Sequence, residues 1–160
     1  MPPEGKPRQL MPGESLTSMS PRVREHAAKA GVADRMKRPY WRSNTSKAHQ
    51  LTELAKAHGK GGQMRDALFA AYWEQGKDIG LDEVLRDIVV AVGLDRAEAA
   101  SAMADQRYLP DVMAQFDERH QRGFESIPGY LIGEVQINGV LVIDDYRAAA
   151  QRATADDAAR

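Results

Sequence analysis

Gly123-Phe124-Glu125-Ser126-Ile127-Pro128-Gly129-Tyr130-Leu131-Ile132 is where this chain changes character. The residues before it, Asp117-Glu118-Arg119-His120-Gln121-Arg122, are charged and read as a solvated helix face with local ion pairs that ends at Gly123. The residues after it are apolar and suit a strand. Between the two lies a Ser-Ile-Pro step. Proline donates no ladder hydrogen bond, so it belongs at a strand's first residue or at an edge. An X-Pro bond is also the cheap place for a cis peptide. The expectation is a cis Ile127–Pro128 bond at a helix-to-strand junction, followed by a strand that pairs in a sheet.

Downstream, Asn138-Gly139 is a strong two-residue turn signal. It predicts a hairpin over about 129–134 and 139–143, with Gly133-Glu134 as the alternative turn. Asp144 or Asp145 then caps a closing helix to about Thr154; these two acids read as a cap, not as a ligand pair.

Upstream the pattern is helical. Residues 1–19 are rich in proline and glycine and read as a loop or disordered lead-in. Ser20-Pro21 opens a helix that stops near Ala30, with Gly31 beyond it. The stretch to Arg42 is basic and irregular, and its Tyr40 and Trp41 read as packing residues. Asn44 or Thr45 caps the next helix, with Ala48, Leu51, Leu54, Ala55 and His58 on one face, ended by Gly59-Lys60-Gly61-Gly62. A third spans about Gln63 to Gln75. The fourth carries the widest apolar stripe, Leu81, Val84, Leu85, Ile88, Val89 and Val92, up to Gly93. Asp95 caps an alanine-rich fifth helix, and a sixth from Leu109-Pro110 points Val112, Met113 and Phe116 inward. Met64, Met103 and Met113 read as core.

The 160 residues amount to one domain's worth, able to bury a core without disulfides or metal. A net charge of -1 offers no general attraction to nucleic acid or anionic lipid. No apolar run approaches the roughly 20 residues of a membrane span. The first five residues have no apolar signal region, and with zero cysteines the chain reads as cytoplasmic. The missing cysteines exclude a thiolate nucleophile and cysteine-ligated metal here. His26, His49, His58 and His120 show no ligand spacing, and Gly59-Lys60-Gly61-Gly62 lacks the spacing of a phosphate-binding loop. No cofactor or metal is expected.

Longer matches point to a family. Asn44-Thr45-Ser46-Lys47-Ala48-His49-Gln50-Leu51 resembles the Asn-Thr-x-x-Ala-His-x-Leu helix start of DsbA-like proteins of the FrnE type. Their relatives are the kappa-class glutathione transferases and the 2-hydroxychromene-2-carboxylate isomerases. Ala67 to Gly80 is similar to that family's Ala-Leu-Phe-x-Ala-Tyr-Phe-x-Glu-Gly-x-Asp-Ile segment, Ser126-Ile127-Pro128 stands where it has Gly-Val-Pro, and Pro2-Pro3-Glu4-Gly5 matches its Pro-Pro-Glu-Gly. The resemblance implies a mostly helical α/β chain. It would be an incomplete thioredoxin-like fold with a helical insertion (20–124) and the C-terminal half of the thioredoxin-like domain (125–160), hairpin and closing helix included. A proline loop of this kind presents backbone to a disulfide or thiol ligand. The resemblance thus implies a substrate groove at Ser126, Ile127 and Pro128, with Asn44 and His49 as further groove residues.

Three departures limit what carries over. The family begins with a strand, a helix bearing Cys-x-x-Cys or a single serine, and a second strand; in the sequence as given only Met1 stands before Pro2-Pro3-Glu4-Gly5. Gly129 stands where a larger residue is usual. The Gly-Ala-Gln after the hairpin is replaced by Val142-Ile143-Asp144. The expectation is a truncated or degenerate member of a thiol–disulfide oxidoreductase family, without turnover as a lone chain. It would serve a protein or peptide client, and would dimerise or pair with an N-terminal fragment to cover strand edges around Tyr130, Ile132, Leu141 and Ile143. The alternatives are a non-enzymatic helical module that binds a peptide or partner, and a glutathione-dependent isomerase or transferase.

Overall fold

The structure is a computed structural model that describes residues 2, 5–7, 9, 21–37, 41–124 and 126–158. Ser20, Arg38, Pro39, Tyr40, Glu125 and most of the N-terminal 19 residues lie outside the described residues. The chain divides into two compact units, 1–113 and 114–160. The division falls inside the sixth helix, whose end belongs with the hairpin: Gln136 Nε2 donates to the Gly123 carbonyl at 2.9 Å, and Phe124 packs under Gly129.

In the first unit, β1 (Lys6–Pro7) pairs antiparallel with β2 (Trp41–Arg42), Lys6 opposite Arg42. Part of the expected lead-in is therefore a strand, in a pairing too short to leave a periodic signal. Helix α1 (Pro21–Lys29) ends before Gly31, and a 3₁₀ turn follows at Ala33–Arg35. Helices α2 (Ser46–Ala57), α3 (Gly61–Phe69), α4 (Asp82–Ala91) and α5 (Arg96–Asp105) build the core. Leu51, Leu54, Met64, Leu85 and Val89 are fully buried. Ala99 and Ala102 are buried too, and their small side chains let α5 approach α2 and α4 closely. The Asp95 side chain accepts from the Glu98 N–H at 2.7 Å and caps α5.

Four expectations need correcting in this unit. Helix α3 begins at Gly61, since Gly59 alone, at φ 69°, reverses the chain after α2 and leaves Lys60 to open the next helix. It does not run on to Gln75 as α-helix: Ala70–Glu74 is a π-turn, closed by the Gln75 N–H on the Ala70 carbonyl at 3.0 Å. His58 is exposed and pairs with Glu98 at 3.1 Å, a better place for imidazole than the apolar face. Leu81 lies before α4 and is exposed, so the buried stripe narrows to Leu85, Ile88 and Val89, with Val84 and Val92 half-buried beside it.

Helix α6 (Leu109–Gln121) has no buried residue, and Met113 and Phe116 are about half exposed where an inward face was expected. Phe116 instead packs along its own helix, edge-on to His120 at 4.6 Å. Met113 is accordingly not core, whereas Met64 and Met103 are.

In the second unit, β3 (Gly129–Ile132) pairs antiparallel with β4 (Val135–Asn138). The turn is Gly133-Glu134, the alternative of the two. Gly133 supplies the left-handed φ of 58° that a two-residue hairpin turn needs. Asn138 stands opposite Gly129 at the far end of the ladder, where the Gly139 N–H donates to the Pro128 carbonyl at 2.7 Å. The strand expected over 139–143 is therefore absent. Val140, Leu141 and Val142 are exposed, and α7 (Ile143–Ala158) starts at once, with Asp144 and Asp145 in its first turn. Ile137 and Ala149 are buried, Tyr130 meets Tyr146 edge-on at 5.2 Å, and the Tyr146 hydroxyl accepts from the Leu141 N–H at 3.3 Å.

Candidate functional site

The end of α6 and the loop into β3 enclose an open groove of about 310 Å³, lined by Glu118, Arg119, Arg122, Phe124, Ser126 and Ile127 among others. Its local cause is readable in the residues. Gly123, at φ 74°, ends the helix and drops Phe124 into the unit, 9% exposed. A Cβ on Gly129 would stand 2.6 Å from the Phe124 ring, so the glycine that departs from the family pattern is what lets the strand lie on that ring. Ser126 and Ile127 are pushed outward, Ile127 to 83% exposure. The Ile127–Pro128 peptide is cis. Pro128 does not line the groove; its carbonyl is used by Gly139.

Arg122 pairs with Glu118 at 2.8 Å, one turn back on the helix. Arg119 is half-buried, its guanidinium carbon 5.5 Å from the centre of the Phe116 ring. Its Nε is shielded from water and has no hydrogen-bond partner. The expectation of a solvated, ion-paired face holds for Arg122 and does not hold for Arg119. The signal was available: Phe116, Arg119 and His120 fall at i, i+3 and i+4, the spacing at which side chains meet on a helix.

Of the five expected groove residues, Ser126 and Ile127 line this groove, and Pro128 shapes the loop. Asn44 and His49 belong to the other unit. The Asn44 amide donates to the Pro2 carbonyl at 3.0 Å and its Oδ1 accepts from the Ser46 N–H at 3.1 Å, so it ties the N-terminal segment to the start of α2. His49 is exposed on α2. Partial desolvation of its ring holds the imidazole pKa below the ordinary value, against an upward pull from Glu53, with Lys56 adding to the lowering.

The first unit has a concavity of its own, about 460 Å³, where Val32, Met36, Phe69 and Trp73 meet the Arg35–Glu74 pair at 3.7 Å. The Lys37 N–H donates to the Trp73 carbonyl on the π-turn, which holds one wall in place. Among the described residues no group of three or more His, Cys, Asp or Glu side chains could hold a metal ion. No helix there is long and apolar enough to cross a membrane.

The model of the DSBA-like thioredoxin domain matches residues 1–151, nearly the whole chain. The chain belongs to that family. It is also similar to the uncharacterized protein YwbO of Bacillus subtilis (strain 168), 25% identical over 135 residues, which is 83% of this chain and 65% of that protein. The chain thus spans a little under two thirds of the length of the curated relative it matches. Its α/β, mostly helical build is that of a DsbA-like chain. No cysteine occurs in its 160 residues.

Proposed function

We propose that this DsbA-like chain binds an extended segment of a protein client at the groove beside Ser126 and Ile127, and contributes no thiol chemistry of its own. The observation that carries this reading is Ile127. An isoleucine 83% exposed, on a loop between a groove and a strand, is an apolar contact held out toward a partner. The neighbouring strand supports it, since β3 is paired with β4 alone among the described residues, and a strand with one free side can accept an extended peptide through its backbone.

The binding test is fluorescence anisotropy with a short fluorescein-labelled peptide of alternating Val and Thr around a central Gln. The chain should bind it, and Ile127→Ser should weaken binding about tenfold by removing one buried apolar side chain from the complex. Because Ile127 is exposed, the variant should melt with the parent. Undiminished affinity in Ile127→Ser would remove the groove from the reading.

The chemical half of the proposal has its own check. Thiol–disulfide exchange begins with a thiolate attacking sulfur, and this chain has none. It should reduce neither insulin nor glutathione disulfide above a buffer blank. Turnover by a preparation free of host thioredoxin would overturn the claim.

A further inference from the structure

Resting on the peptide-binding reading above, we propose that the groove selects client segments carrying an acidic side chain, and that Arg119 is the residue that selects them. Among the described lining residues the charges do not cancel: Arg119 and Arg122 stand against Glu118. Glu118 is held by Arg122 at 2.8 Å. That leaves Arg119, a second cation lining the same groove, with no carboxylate in ion-pair distance among the described residues. Its one polar side-chain contact is long, 3.5 Å from Nη2 to the His120 Nε2.

The surroundings of Arg119 make it more than a surface cation. Its Nε edge is shut off from water without an acceptor, so the guanidinium is underhydrated before any ligand arrives. The Phe116 ring lies beside it, 5.5 Å from the guanidinium carbon, and restricts where the group can turn. A pre-oriented, partly desolvated guanidinium gains more from an incoming carboxylate than a solvated one does, and the planar fork suits a carboxylate's two oxygens. The rest of the groove suits a peptide that brings one such group: Phe124 supplies an apolar wall, Ile127 an apolar lip and Ser126 a hydroxyl at the rim. A basic side chain entering the same place would face Arg119 with like charge.

The experiment uses the whole chain and three labelled Val/Thr peptides identical except for a central Glu, Gln or Lys. At low salt the Glu peptide should bind about tenfold tighter than the Gln peptide, the worth of one charge-assisted hydrogen bond, with the Lys peptide weakest. In roughly 0.5 M salt the margin should shrink, since the contact lies at an open groove. In Arg119→Gln the Glu-over-Gln margin should vanish; in Arg119→Lys part of the margin should survive. Should Arg119→Gln fold poorly by circular dichroism, the parent chain still decides through the Glu-over-Gln margin and its response to salt. Three equal affinities would overturn acid selectivity and leave the peptide-binding reading standing. Failure of all three peptides to bind would overturn both.

Discussion

Leu85→Asp is expected to melt the helical unit at least about 10 °C below the parent, corresponding to about 3–5 kcal/mol of lost stability. Leu85 has no exposed surface, and Ile88 and Val89, on the same stripe of α4, are 7% and 0% exposed. The substitution removes a leucine from a packed site among α3, α4 and α5 and puts a carboxylate where nothing apolar can solvate it. Whole domains hold only about 5–15 kcal/mol in reserve, so such a loss uses a large part of it. Val90→Asp is the control. Val90 is 55% exposed on the same helix, so its variant should melt within a degree or two of the parent. A Leu85→Asp protein that melts with the parent, followed by circular dichroism, would show that this face is not buried.

That prediction rests on the most legible part of the chain. Helices α2, α4 and α5 carry apolar residues at helical spacing, bounded by Asp95, Gly59 and Gly93, and periodicity together with end signals is enough to place them. The harder parts share a physical reason. The Lys6–Pro7 pairing with Trp41–Arg42 is a contact between residues far apart in sequence and only two residues long, so no local pattern encodes it. The π-turn at Ala70–Glu74 shifts the hydrogen bonding by a residue and leaves the apolar spacing almost intact. Met113 and Phe116 have the spacing of a buried face, but burial depends on what another element covers, and hydrophobicity alone does not state that.

The candidate site was legible in the same uneven way. A proline between a helix end and an apolar run is a strong local signal, and it points to the loop on which Ser126 and Ile127 line the groove, though Pro128 itself does not. Arg119, a charged residue in a charged stretch, reads as solvated; its spacing from Phe116 and His120 allows a ring contact, but the shielded Nε shows only in the folded chain. Asn44 and His49 are groove residues only by resemblance to a motif, and the structure gives Asn44 a structural task within its own unit.

Gly133→Val should detach α7 from the hairpin, and the effect should stay in the second unit. Two costs add at this position. Gly133 sits at φ 58°, a left-handed conformation that a β-branched residue resists by about 1–2 kcal/mol. A Cβ there would also stand 2.6 Å from the Ala153 Cβ and 3.2 Å from the Ala153 Cα. The obstacle includes helix backbone, which cannot rotate away as a flexible side chain could, so α7 must shift or the turn must open. Either movement pulls on the Tyr130–Tyr146 edge contact and on the hydrogen bond from Leu141 to the Tyr146 hydroxyl. The combined loss should be about 3 kcal/mol or more. Hydrogen exchange reads it by region: amides of β3, β4 and α7 should exchange much faster, while those of α2 and α4, held by the fully buried Leu51, Leu54 and Leu85, should keep their protection. Adding Ala153→Gly removes the nearer of the two contacts, and so should restore part of the protection lost in Gly133→Val. Unchanged exchange in the single variant would mean that the helix does not lie against this turn, and the second unit would lose the packing that holds its hairpin and α7 together.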